Sequence, residues 1–400
     1  MRDNVDTFKW RIPVWIVAVA CALLMVLGIG IGIGISKSNP AVLGEPQQMQ
    51  EQTATGEAWR SNILHSDEIS RDFKGYNCEY PVFGSDYQRK QIRSVTVVDT
   101  LADMPEDAWD VSKSGNGTVM AWVKRNEGQH DLYIGGEGGV SAGSSCEELF
   151  AGYENVTSIN LGDCFDTSNV QNMRCMFYDC PSLRELTLGD RFDTSNVWDM
   201  YRMFTGCSSL KVLTLGVGFD TSEVRNMQSM FSGCSSFRTL TLGDHFNTAR
   251  VRDMGWMFSD CSSLRELTLG DCFDTAEVRD MQSMFTDCSS LRTLDLGDCF
   301  DTSNVTDMDI MFYQCSSLKK LTLGDRFDTS NVRNMRAMFS CCSSLRELTL
   351  GEYFDTSNVY EMSGMFYNCS SLKKLDLGEH FVVPDVGTDD MFERCPAGGG

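Results

Sequence analysis

From Leu161 onward, apolar and polar positions recur in the pattern L-x-L-G-D-x-F-D-T-S-N-V-x-x-M-x-x-M-F-x-x-C-S-S-L-x-x. The step from Cys180 to Cys207 is 27 residues, and Cys234, Cys261, Cys288, Cys315, Cys342 and Cys369 continue it without a slip. Eight such copies predict a solenoid, in which each unit covers its apolar face only by stacking on its neighbours. Within one unit, Leu186 and Leu188 alternate with Glu185 and Thr187, which predicts a short strand with one apolar face. Val197, Met200, Met203, Phe204 and Cys207 follow at i, i+3, i+6, i+7 and i+10, which predicts the inner stripe of a short helix. Asp193-Thr194-Ser195-Asn196 precedes that stripe and supplies oxygens to cap the helix.

The expected fold class is therefore α/β: a leucine-rich-repeat-like, right-handed β-α solenoid over residues 146–395, with a tail at 396–400. Both ends are worn copies of the unit. Residues 146–161 have Tyr153 in the cysteine column, and 381–395 lose one residue and insert Pro384. Ahead of them, 76–145 carry β-like runs at 92–98, 118–123 and 131–134, separated by Gly115-Asn116-Gly117 and Asn126-Glu127-Gly128. These predict a small β-rich N-terminal cap.

Residues 12–35 are uncharged and would span roughly 36 Å as a helix, which predicts a single transmembrane helix. A cleaved signal ending at Ala18-Val19-Ala20 would leave the apolar run 21–35 on the mature chain, so the anchor is the preferred reading. Arg2, Lys9 and Arg11 precede the span and Lys37 closely follows it, which puts residues 1–11 in the cytoplasm as a short tail and the body outside. Gly28, Gly30, Gly32 and Gly34 offer a close-packing face for a homodimer through the membrane. Residues 36–75 are polar, Gln-rich and aperiodic, and read as a flexible linker.

Charge narrows the partners. The chain holds 34 Lys and Arg against 56 Asp and Glu, a net of −22, which disfavours nucleic acid. The cysteines recur at the end of an apolar stripe and have no C-x-x-C spacing, so they read as small buried hydrophobes and not as metal ligands. Cys272 and Cys299, in one column on consecutive rungs, are the best pair for a disulfide. The paired methionine columns are core filler, and the aspartates of F-D-T-S-N read as caps before they read as a calcium ladder. No metal and no cofactor are expected. Gly139-Val140-Ser141-Ala142-Gly143 matches the nucleophile elbow of a serine hydrolase, a distant alternative that needs a buried strand, a following helix and a supported histidine. No catalytic residue is assigned, and the chain is read as non-enzymatic.

A recognition surface combines a constant frame with varied exposed side chains. The outward strand position runs Glu185, Val212, Thr239, Glu266, Thr293, Lys320, Glu347, Lys374 and is the candidate partner-binding column. Trp198, Tyr201 and Trp256, at expected exposed positions, join it because aromatic side chains anchor interfaces. The column before it is basic from Arg184 to Lys373. It is expected to relieve repulsion in an acidic column, Asp190 to Glu379, that includes Asp271, Asp298 and Asp325.

The repeat unit resembles that of the BspA-like leucine-rich repeat family of bacterial surface proteins. Residues 81–86, 107–112 and 131–139 look like the segment that often precedes such repeats, so the resemblance covers about 76–395. It implies a surface protein that adheres to a host or neighbouring-cell protein, and it brings no catalytic residues. A receptor or envelope-organising ectodomain is the alternative. Val217-Gly218 and Asn247-Thr248-Ala249-Arg250 depart from the unit.

Overall fold

A coil of 27 residues made of turns leaves most of its peptide groups unpaired, and a buried unpaired group is costly. Stacking removes that cost, and the computed structural model shows how. It describes residues 62–65, 81–243, 245–385 and 387–398. Residues 1–49 and 50–400 are two units. The expected tail, transmembrane helix and glycine face lie outside the described residues. No helix among those described is long and apolar enough to cross a membrane.

The cap is β-rich, as expected. Its strands are β1 (Ile92–Val98), β2 (Trp109–Asp110), β3 (Met120–Asn126) and β4 (Gln129–Gly135), with β3 and β4 an antiparallel hairpin. Next come β5 (Val140–Ser141), β6 (Ser158–Asn160), β7 (Phe165–Asp166) and β8 (Glu185–Thr187). One sheet runs β2-β3-β4-β1-β6-β8, so the cap pairs directly with the first solenoid strands. Arg89, only 2% exposed, donates to the carbonyls of Glu148 and Ala151, and its guanidinium lies 5.2 Å from the Tyr153 ring centre. The linker reading fails at its far end. Ile63 bridges Ser141, Leu64 bridges Ser112, and Leu64 is 1% exposed because the cap covers its apolar side chain.

Further rungs contribute β9 (Thr239–Thr241), β10 (Glu266–Thr268), β11 (Thr293–Asp295), β12 (Lys320–Thr322), β13 (Glu347–Thr349) and β14 (Lys374–Asp376). They pair in parallel with Leu240 on Leu267, Leu294 on Leu321 and Leu348 on Leu375. No strand forms at 212–214, on the rung where Val217-Gly218 departs from the unit. The opposite edge is unbroken. Single parallel bridges run from Ser145 through Asn172, Asp199, Asn226, Asp253, Asp280, Asp307 and Asn334 to Glu361.

The expected α-helix is absent, and the α/β class is corrected to a solenoid of short strands and turns. Among the described residues there is no α-helix. Two observations explain why. Left-handed residues recur before the second methionine, as at Cys175 (φ 53°) and Arg202 (φ 55°), and before the cysteine, as at Asp179 (φ 53°). A right-handed helix excludes them. Alternate N–H groups also leave for the next rung: Met173 to Asp199 (2.9 Å), Cys175 to Tyr201 (2.8 Å) and Phe177 to Met203 (2.9 Å).

Side chains that recur along the repeat tie rungs together. Thr275 Oγ1 donates forward to the Asp301 carbonyl (2.7 Å), and Asn331 Nδ2 donates back to the Ser303 carbonyl (2.7 Å). Ser316 Oγ reaches the Ser289 carbonyl (3.4 Å). Two phenylalanine columns stack, with ring centres 5.4 Å apart for Phe285 and Phe312 and 6.2 Å for Phe273 and Phe300. The paired methionines are buried, as expected. Thr275→Val keeps the shape of the buried side chain but withdraws its donor. It should cost about 1–2 kcal/mol, seen as a lower urea midpoint, because the Asp301 carbonyl is left one bond short. An unchanged midpoint would show that the threonine clamp adds nothing.

Candidate functional site

Where so many repeated side chains point inward or along the stack, the remaining ones define the surface. On β9, β10, β11 and β13 the central leucine is buried and its two neighbours are exposed. The strands therefore bring Glu185, Thr239, Glu266, Thr293, Lys320, Glu347 and Lys374 into exposed positions, and Val212, on the rung without a strand, is 70% exposed. Lys374 Nζ pairs with Glu347 of the adjacent rung (2.8 Å).

The aromatic residues do not join that face. Trp198 is 46% exposed but lies beside Asp199 in the bridge column. Tyr201 and Trp256 are half-buried, a correction to the expectation that they stand free. Tyr201 is held between the guanidinium groups of Arg174 (4.6 Å) and Arg202 (5.0 Å). Trp198 instead heads an exposed column, Trp198, Arg225, Arg252, Arg279, Thr306, Arg333 and Tyr360, that the sequence reading passed over. Its signal was available, since aligning the units places these residues immediately after each repeated valine.

The basic and acidic columns do not neutralise each other. Arg184 precedes its strand and Asp190 follows it, so the strand separates them, and among the described residues no ion pair joins the two columns. Elsewhere the pairing is local: Arg336 holds Asp309 at 2.7 Å, and Arg250 pairs with Glu223 where the backward-reaching asparagine is missing.

The bridge column has its own electrostatics. Asp253 accepts the Gly255 N–H (3.1 Å) and Asp280 the Gln282 N–H (2.9 Å), so each closes a short turn. Burial, and then the stacked Asp280 and Asp199, push Asp253 up to about 6 against the pull of the Gly255 N–H. Burial likewise raises Asp280, with Asp307 adding to it.

The aspartates of F-D-T-S-N are occupied in a similar way, which replaces the helix-cap reading. Asp193 accepts the Ser195 N–H and Asp328 the Ser330 N–H, both at 2.8 Å. Among the described residues, no group of three His, Cys, Asp or Glu is placed to hold a metal ion. The column cysteines are buried free thiols. They are also donors, which the sequence reading missed: Cys261 Sγ reaches the Phe231 carbonyl and Cys288 Sγ the Phe258 carbonyl, both at 3.2 Å. Burial pushes Cys180, Cys261 and Cys315 up to about 12. Cys272 and Cys299 are free thiols too, half-buried and exposed respectively.

The elbow motif lacks its context. Ser141 is 3% exposed on the two-residue β5, its hydroxyl donates to the Ala142 carbonyl (3.2 Å), and no helix follows. The described grooves are shallow clefts between rungs, one of them lined by Thr349, Glu352, Asp376 and His380.

The family described as "Mycoplasma protein of unknown function, DUF285" matches residues 144–264, 213–321 and 293–397, together more than half of the chain. No curated protein matches it. A solved structure of a leucine rich cell surface protein from Faecalibacterium prausnitzii A2-165 is similar at 16% identity. The match covers 73% of this chain and 93% of that one, with a TM-score of 0.31.

Two measurements probe these columns. In native protein, iodoacetamide should label Cys299 first, while the eight column thiols react only after denaturation, because they lack both access and thiolate character. Peptide mapping that found the column labelled in the native state would show an open column. Asp253 has a folded pKa above its unfolded value, so its contribution to stability is present at low pH and is lost as pH rises through about 6. Asp253→Asn keeps the turn acceptor, as Asn226 does on the rung before. It should be more stable than the parent at neutral pH, by roughly 1 kcal/mol after allowance for solvent screening. The gain should vanish toward acidic pH. Equal melting temperatures at all pH values would remove the stacked-carboxylate penalty.

Proposed function

The chain belongs to the DUF285 family, and from that premise and the geometry above we propose that it is a non-enzymatic, membrane-anchored binding protein displayed on a cell surface. Residues 12–35 are the anchor, the N-terminus is cytoplasmic and the solenoid is extracellular. The uncharged run and the cations before it support this orientation. The partner is a protein of a host or neighbouring-cell surface, engaged by the strand face from Glu185 to Lys374.

One observation carries the reading. The inward and stack-lining side chains repeat from rung to rung and hold the rungs together, whereas the strand column from Glu185 to Lys374 is exposed and changes from rung to rung. A rigid stack carrying varied exposed side chains is suited to recognition. The resemblance of the unit to BspA-like repeats supports the surface setting.

Protease added to intact cells displaying the full chain should release the solenoid and leave a short membrane-bound stub. Such cells should also bind members of an immobilised panel of host-matrix and bacterial-surface proteins, and protease treatment should abolish that binding. A protected body would reverse the orientation, and untreated cells that ignore the whole panel would remove the adhesive role.

A further inference from the structure

Backbone pairing sets the first exposed residue of a rung over that of the rung before along Arg238, Arg265, Arg292 and Lys319, and again from Arg346 to Lys373. From Arg184 to Lys373 this position is Arg or Lys on all eight rungs, and every one is exposed. The column is held directly by backbone bonds: Arg265 N–H to the Arg238 carbonyl (2.9 Å), Lys319 N–H to Arg292 (2.8 Å) and Lys373 N–H to Arg346 (2.9 Å). Successive cations therefore start about 4.8 Å apart, one strand separation. That is inside the Debye length of about 8 Å at physiological salt, so they repel one another. Among the described residues, none of the eight has a carboxylate within ion-pair distance. Nor is the column a by-product of a basic chain. The net charge is −22, and eight of the 34 Lys and Arg stand in this one line.

We propose that this column binds a linear acidic polysaccharide, with its carboxylate or sulfate groups lying along the stack of cations. The match is one of period and sign. A polymer with a negative group on every sugar, each sugar about as long as one rung, meets one cation per rung along the linked stretch from Arg238 to Lys319. An acidic protein surface without a repeat of its own lacks such a period. A single-stranded nucleic acid needs aromatic platforms for its bases, and the strand positions beside the column carry Glu, Val, Thr and Lys instead. A flat anionic membrane would meet the carboxylates beyond the strands, Asp271 and Asp298 among them, as well as the cations. A polymer can follow the cationic edge alone. The inference goes beyond the protein-binding reading, and because it concerns purified protein its outcome is separate from that of the protease experiment.

The full chain in lipid nanodiscs, titrated with polygalacturonate, dextran sulfate and neutral dextran, tests it. Binding to either polyanion and not to dextran is expected, weakening at least tenfold from about 50 to about 200 mM NaCl; which polyanion binds identifies the anionic group. The fourfold variant Arg238→Gln, Arg265→Gln, Arg292→Gln, Lys319→Gln should lose at least tenfold in affinity. A control with the same charge change on the other exposed column, Arg225→Gln, Arg252→Gln, Arg279→Gln, Arg333→Gln, should stay within twofold. If the first variant does not fold, single Arg265→Gln and Arg292→Gln changes should each weaken binding two- to threefold while Arg252→Gln does not. No binding by the parent chain, or equal losses in column and control variants, overturns the proposal.

Discussion

The structure depends on peptide groups that find their partners one rung away. In a sheet of long strands the ladder is regular. Here it is carried around the whole coil, through strands three residues long on one edge and through turns on the other. Several of the repeated residue types serve that ladder. Threonine reaches forward, asparagine and serine reach back, the two phenylalanine columns fix the stacking distance, and the cysteine thiol adds a second donor to a carbonyl that already accepts a backbone N–H.

Much of this was legible in the sequence, and what was not has a physical reason. The period, the inward columns and the β-rich cap follow from apolar spacing and turn residues. The helix expectation fails because positions i, i+3, i+6, i+7 and i+10 lie within an arc of about 120° on an α-helix, so the apolar pattern fits a helix as well as it fits this coil. Nothing in the residue types at Cys175, Arg202 or Trp256 announces a left-handed backbone. The aspartate before the threonine was assigned to a cap for the same reason, since a carboxylate holding the N–H two residues on looks alike in sequence whether a helix or a turn follows.

Charge was the other limit. Placing Arg184 and Asp190 six positions apart suggested mutual relief, but a strand lies between them and keeps them apart. The result is a face polarised across the strands inside a strongly acidic chain. Elsewhere like charges are stacked by the backbone itself, and at Asp253 and Asp280 burial first and the stacked charges second raise the proton affinity. The fold thus dictates electrostatic pattern more strongly than net charge does.

The forward clamp of one threonine meets the same carbonyl position on every rung, and the backward clamp of one asparagine recurs on the rungs that keep it. A rung therefore carries both halves of a joint, and any regular rung mates with any other. Misaligned recombination between the corresponding stretches of the gene would insert or remove whole rungs and still yield a chain that stacks. The length of the solenoid is thereby open to heritable change in single-rung steps, without a new joint having to evolve each time.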